Sequence, residues 1–127
     1  MKEHSVVHST FAIERSYPKP PELVFAAFAD PSMKRRWFAE GEHHEVEEFE
    51  MDFRAGGTER LRYRFKEGTP FKGVLIAHEA SYPDILPNRR VVTSSTMTLG
   101  GKCISASLVT VELLPTDTGT CCCYSRS

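Results

Sequence analysis

Apolar and polar residues alternate along most of the chain, and the period changes once. From Pro18 to Phe38 (PKPPELVFAAFADPSMKRRWF) the apolar positions recur at helical spacing instead. Leu23, Val24, Ala27 and Phe28 form one apolar face. Pro20 and Pro21 suit an opening turn, because they preset φ and lack an N–H that a first turn does not use. Asp30 predicts the cap of a second helix that opens with Pro31. That helix is expected to carry Met33, Trp37 and Phe38 inward, with Lys34, Arg35 and Arg36 between them.

The alternating segments predict strands. Thr10 to Tyr17 sets Phe11, Ile13 and Arg15 against Ala12 and Glu14. Past a polar loop, Val46 to Phe53 sets Phe49, Met51 and Phe53 against Glu48, Glu50 and Asp52, and Gly56 and Gly57 predict the turn that follows. Glu59 to Phe65 is the clearest strand: Leu61, Tyr63 and Phe65 alternate with Arg60, Arg62 and Arg64, so one face is buried and the other cationic. Further strands are expected over Phe71 to Glu79, Arg90 to Leu99 and Cys103 to Leu114. Tyr82 to Asn88, with two prolines, reads as an extended edge followed by a turn. A last strand begins at Thr120 and is expected to stop almost at once. One strand, two short helices and about six more strands describe an α+β domain, with a curved antiparallel sheet of about six to seven strands closed at one end by the helices.

Composition narrows the function. The 127 residues fit one domain, and 40% hydrophobic with 26% charged residues is ordinary for a globular protein. A net charge of −1 gives no support for a nucleic-acid partner, and no apolar run reaches the roughly 20 residues that span a bilayer. The first residues lack the apolar core of a signal peptide, so the cytoplasm is the expected location, with no nucleic-acid or membrane partner.

Several motifs carry a resemblance. Pro21, Glu22, Val24, Phe25, Asp30, Pro31, Arg36 and Trp37, then Arg54, Gly56 and Gly57, then Tyr82, Asp84, Ile85, Pro87 and Arg90 resemble the helix-grip, START-like SRPBCC superfamily. The closer resemblance is to its branch named after the activator of the 90-kDa heat-shock protein ATPase. It implies a sheet gripping a long C-terminal helix over an apolar cavity. Roles in that superfamily include hydrophobic-ligand binding, co-chaperone contact and polyketide cyclisation. On this reading residues 1–9 are a flexible N-terminus, residues 10–120 a START-like domain lacking the long helix, and residues 121–127 an aberrant tail. The tail, with Cys121, Cys122 and Cys123, reads as the frameshifted copy of an apolar strand. Loss of the helix would expose the concave face and favour instability, aggregation or pairing with another copy.

The candidate site follows from these expectations. Trp37, Phe53, Tyr63, Phe65 and Met97 are assigned to the concave face as cavity lining, and the hydroxyls of Tyr63 and Tyr82 could orient a ligand. The expected function is non-catalytic binding of a small apolar or aromatic ligand, impaired by truncation. Alternatives are a co-chaperone-like interaction module or a polyketide cyclase-like enzyme. A catalytic reading needs an acid or base on the inward face, and the inward positions assigned from sequence offer only Tyr63. No cofactor and no metal are expected. Glu42, His43, His44, Glu45, Glu47 and Glu48 read as a solvated face, and three adjacent cysteines on an extended chain cannot all reach one ion. Cys103 is expected to pack as a small hydrophobe.

Overall fold

Seven strands pair antiparallel in one curved sheet, in the order β1-β7-β6-β5-β4-β3-β2. The computed structural model describes residues 10–127, so the expectation for residues 1–9 lies outside the described residues. The strands are β1 (Phe11–Tyr17), β2 (His44–Met51), β3 (Thr58–Phe65), β4 (Leu75–Leu86), β5 (Arg90–Leu99), β6 (Lys102–Thr116) and β7 (Gly119–Arg126). β1 and β2 are the two edges, and the chain between them is helical. A connection joining opposite edges has to cross a face of the sheet. That crossing makes the second layer.

The crossing consists of α1 (Pro21–Ala29), α2 (Pro31–Lys34) and a π-helical turn at Arg35–Ala39. Asp30 caps α2 as its sequence predicts, accepting from the backbone N–H groups of Ser32 at 2.8 Å and Met33 at 3.2 Å. The inward seam differs from the expected one. Met33 is exposed and Trp37 is 51% exposed, whereas Lys34 is only 7% exposed. Lys34 and Phe38 are one turn apart, and both reach the cavity wall. The ammonium of Lys34 is tolerated inside because β3 supplies its counter-ion there.

Val24 of α1 packs in the core with Tyr82, Val91, Val111, Leu113 and Cys122, and Phe25, Phe28, Phe53 and Tyr124 close around them. The predicted strand at 71–79 and the extended edge at 82–88 are a single strand, β4, with a register shift between Ser81 and Asp84 around Pro83. Phe71 falls in the preceding turn. β4 is an interior strand rather than an edge, because the register shift lets the ladder to β5 continue past the proline. β7 also differs from expectation: it runs to Arg126 and is bonded to β1 on one side and β6 on the other. Its alternation sends Cys122 into the core and Cys121 and Cys123 to the opposite face. Cys103 is exposed rather than packed, since it lies at the hairpin end of β6, opposite Thr98 and beyond the helical cover. Among the described residues no helix is long and apolar enough to cross a membrane.

The turn before β3 is tightly specified. Gly56 has φ +83°, and a Cβ on Gly57 would overlap the carbonyl oxygen of Asp52. The same turn is stitched to Tyr82: the Gly56 N–H donates to Tyr82 O at 2.8 Å, and the Tyr82 N–H donates to Gly57 O at 3.0 Å. Gly57→Ala is therefore expected to lower stability by about 1–3 kcal/mol, measured by urea denaturation, with an unchanged midpoint counting against the account.

Candidate functional site

Between the helical crossing and the concave face lies a cavity of about 320 Å³. Strand alternation explains its lining. Leu61 and Tyr63 of β3, Val91 and Met97 of β5, and Val109 and Val111 of β6 all turn to the side that the crossing covers. The crossing contributes Phe28, Trp37 and Phe38, packed edge to face at ring separations of 5.4 Å and 5.7 Å. Trp37 is fixed by its indole N–H, which donates to Ala27 O at 2.8 Å, yet half of its surface is free. A wall that is both held and uncovered can take an apolar surface without first paying to order itself.

Of the residues assigned from sequence, Trp37, Phe53, Tyr63 and Met97 line the cavity. Phe65 is on the same strand face but beyond it, against Tyr63 and Phe71 at ring separations of 5.8 Å and 5.6 Å. Tyr82 is fully buried behind the wall. Its hydroxyl donates to Glu59 Oε1 rather than facing the cavity. Burial, then the hydrogen bond to Glu59, raises the Tyr82 pKa far above the ordinary phenol range.

The inward face also carries charged and titratable groups that the sequence reading did not place there. Glu59 is 2% exposed, and its Oε1 accepts from both Lys34 Nζ and the Tyr82 hydroxyl. Lys34 Nζ also lies 4.7 Å from the centre of the Phe38 ring. His78 of β4 faces the same space and packs edge-on against Phe38. Burial lowers its pKa, with Lys34 and Arg126 acting in the same direction and Glu59 opposing them. The signal was parity. Glu59 shares its face with Leu61 and Tyr63, and His78 shares its face with Ile76 and Ala80, so each could have been read as inward.

On the convex face the charges pair with each other. Arg64 meets Glu47 at 2.9 Å, and Arg60 and Arg62 each reach Glu48 at 4.0 Å. His44 Nε2 bonds to Ala39 O, tying the crossing to β2. One sulfur- and oxygen-bearing group stands on the same convex side: donor atoms of Glu14, Cys121 and Cys123 lie within 4.8 Å of one another. Desolvation, then the neighbouring Cys121 thiol, pushes the Cys123 pKa up to about 11, so near neutral pH this thiol keeps its proton.

Two predictions follow from the buried groups. Lys34→Met leaves the Glu59 carboxylate buried without its counter-ion and is expected to cost about 3–5 kcal/mol. The triple variant Lys34→Met, Glu59→Leu, Tyr82→Phe should recover most of that loss, and additive losses in denaturant melts would contradict the pairing. Burial holds the His78 pKa in the folded chain below its ordinary value of 6.5, so as pH drops the unfolded chain takes up the proton first. The unfolded state then binds more protons, so stability falls as pH drops through that range and is fully present above it. Melting temperature should decline between about pH 7.5 and pH 5.5, and His78→Phe should flatten the slope.

The sequence matches, over residues 18–123, the model of a family described as Activator of Hsp90 ATPase homolog 1-like protein. Among solved structures, the Mll3558 protein from Rhizobium loti is 46% identical with a TM-score of 0.83, over 97% of this chain and 80% of that one. A protein from Rhizobium leguminosarum is 37% identical with a TM-score of 0.84, over 93% of this chain and 74% of that one. An AHSA1-like protein from Aeromonas hydrophila, 17% identical with a TM-score of 0.71 over 94% of this chain and 74% of that one, shares the fold. No curated protein matches the sequence.

Proposed function

The chain belongs to the Activator of Hsp90 ATPase homolog 1-like family, and from that premise we propose that it binds a small apolar or aromatic ligand between sheet and crossing. The observation that carries this reading is the cavity of about 320 Å³ walled by Phe28, Trp37, Phe38, Phe53 and Met97. Its size falls in the usual range for small-molecule sites, and such sites combine apolar walls with few polar groups. Binding is expected to be weak, because the 51% exposure of Trp37 leaves one side of the site open. The same openness supports self-association: Phe11 and Ile13 pair with Arg126 and Tyr124, share the concave face, and are exposed.

A second reading, a co-chaperone-like interaction module, draws on the family's description and on Leu23 and Met33, which turn outward from the helices. Capture of an Hsp90-type ATPase that survives Trp37→Ala would favour that reading over the cavity.

The ligand reading is tested with the neutral fluorophore N-phenyl-1-naphthylamine. Its emission should rise saturably with protein, and Trp37→Ala should weaken binding about tenfold through lost apolar contact. Leu114→Ala, on the exposed opposite face of β6, should leave binding unchanged. A signal that does not saturate, or is equally affected by both variants, removes the cavity as its source.

A further inference from the structure

Two buried polar atoms in the cavity wall face each other without a partner. Glu59 Oε2 and His78 Nδ1 make no hydrogen bond among the described residues, and they stand 3.9 Å apart. The other Glu59 oxygen is already engaged by Lys34 and Tyr82, and the Glu59 side chain is wholly buried. A carboxylate oxygen offers only lone pairs. If Nδ1 also presented a lone pair, two acceptors would oppose each other where the local dielectric is low. The proton of the neutral imidazole therefore belongs on Nδ1, and closing the gap by less than 1 Å, roughly, makes a full hydrogen bond. A neutral imidazole has one N–H, so Nε2 is left as an acceptor.

That acceptor has one place to look. His78 lines the cavity and its side chain is 13% exposed, while Nδ1 itself is buried, so the open part of the ring lies away from Glu59. Phe38, edge-on at 5.2 Å between ring centres, holds the ring plane. The other charged groups facing His78 are Lys34, which is paired with Glu59, and Arg126 of β7, which donates to Ser107 Oγ at 3.0 Å. Burial lowers the pKa of His78, in keeping with a neutral ring.

We propose that His78 Nε2 is the polar anchor of the cavity and selects apolar ligands that carry a hydroxyl, a phenol or alcohol able to donate to it. Glu59 is the positioning residue that fixes the tautomer. The inference rests on the ligand-binding reading above. A ligand offering only an ether or carbonyl sets lone pair against lone pair at Nε2, and one offering a carboxylate would be drawn to Arg126 instead.

The test uses the full chain and three probes of one ring system: 2-naphthol, 2-methoxynaphthalene and 2-naphthoate. 2-Naphthol should bind about tenfold more tightly than the methyl ether, the cost of leaving a buried acceptor unmet. His78→Phe should abolish that ratio while keeping the affinity for the methyl ether. Because Glu59→Gln also breaks the ion pair with Lys34, the tautomer is read on the unmutated protein by long-range ¹H–¹⁵N correlation, where His78 should show the Nδ1–H form. Equal affinity for naphthol and its ether, tightest binding of naphthoate, or an Nε2–H tautomer would each overturn the proposal while leaving the cavity reading intact. Failure of all three probes to bind would remove both.

Discussion

The structure depends on a buried charge that had to be answered. Lys34 arrives on the helical crossing and Glu59 on β3, and neither has water to solvate it. Charges taken out of water cost several kcal/mol each unless paired and hydrogen-bonded. The pairing of Lys34, Glu59 and Tyr82 therefore admits one docking of crossing on sheet, with Nζ and a phenol hydroxyl meeting at one carboxylate oxygen. A one-residue shift along the crossing that put Met33 in the place of Lys34 would leave Glu59 unanswered, and the opposite shift would force the larger guanidinium of Arg35 into a site filled by an ammonium. Apolar packing around Val24 supplies area, but area tolerates sliding better than a buried ion pair does.

Topology decides where that contact can form. β1 pairs with β7, so the two ends of the described chain meet at one side of the sheet. The chain then has to travel from that edge to β2 at the other. The crossing spans the concave face for this reason, and the space beneath it is the cavity. The glycine turn at Gly56 and Gly57 fixes both polar partners at once, because it opens the strand that carries Glu59 and is bonded to the backbone of Tyr82.

The polar groups separate by face. Convex charges sit opposite each other across β2 and β3 and meet in solvent, where such pairs contribute little to stability. On the concave side Lys34 and Glu59 are buried, and there they govern position and hydrogen bonding. Glu59 does two things from one side chain: one oxygen locks the crossing, and the other faces His78. Structural pairing and ligand preference are thus coupled, and changes at Glu59 act on both.

The sequence by itself determined the elements whose signal is local. The strict alternation of β3, the Asp30–Pro31 cap, the glycine turn and the single cationic face shared by Arg60, Arg62 and Arg64 were all legible, because period and φ preference belong to short segments. Trp37, Phe53, Tyr63 and Met97 stand at the cavity wall, on the faces where helix and strand period put them. Only the tertiary structure decided the rest. Whether Lys34 is solvated or buried depends on what lies opposite, and its partner is 25 residues away in sequence. Tyr82 reads from the sequence as a ligand hydroxyl, and in the fold that hydroxyl donates to Glu59. β7 formed along a cysteine-rich segment because two neighbouring strands supply its backbone hydrogen bonds, and backbone pairing is indifferent to which side chains alternate above and below it. Periodicity tells a residue which face it occupies. What waits for it on that face is set by contacts across the fold.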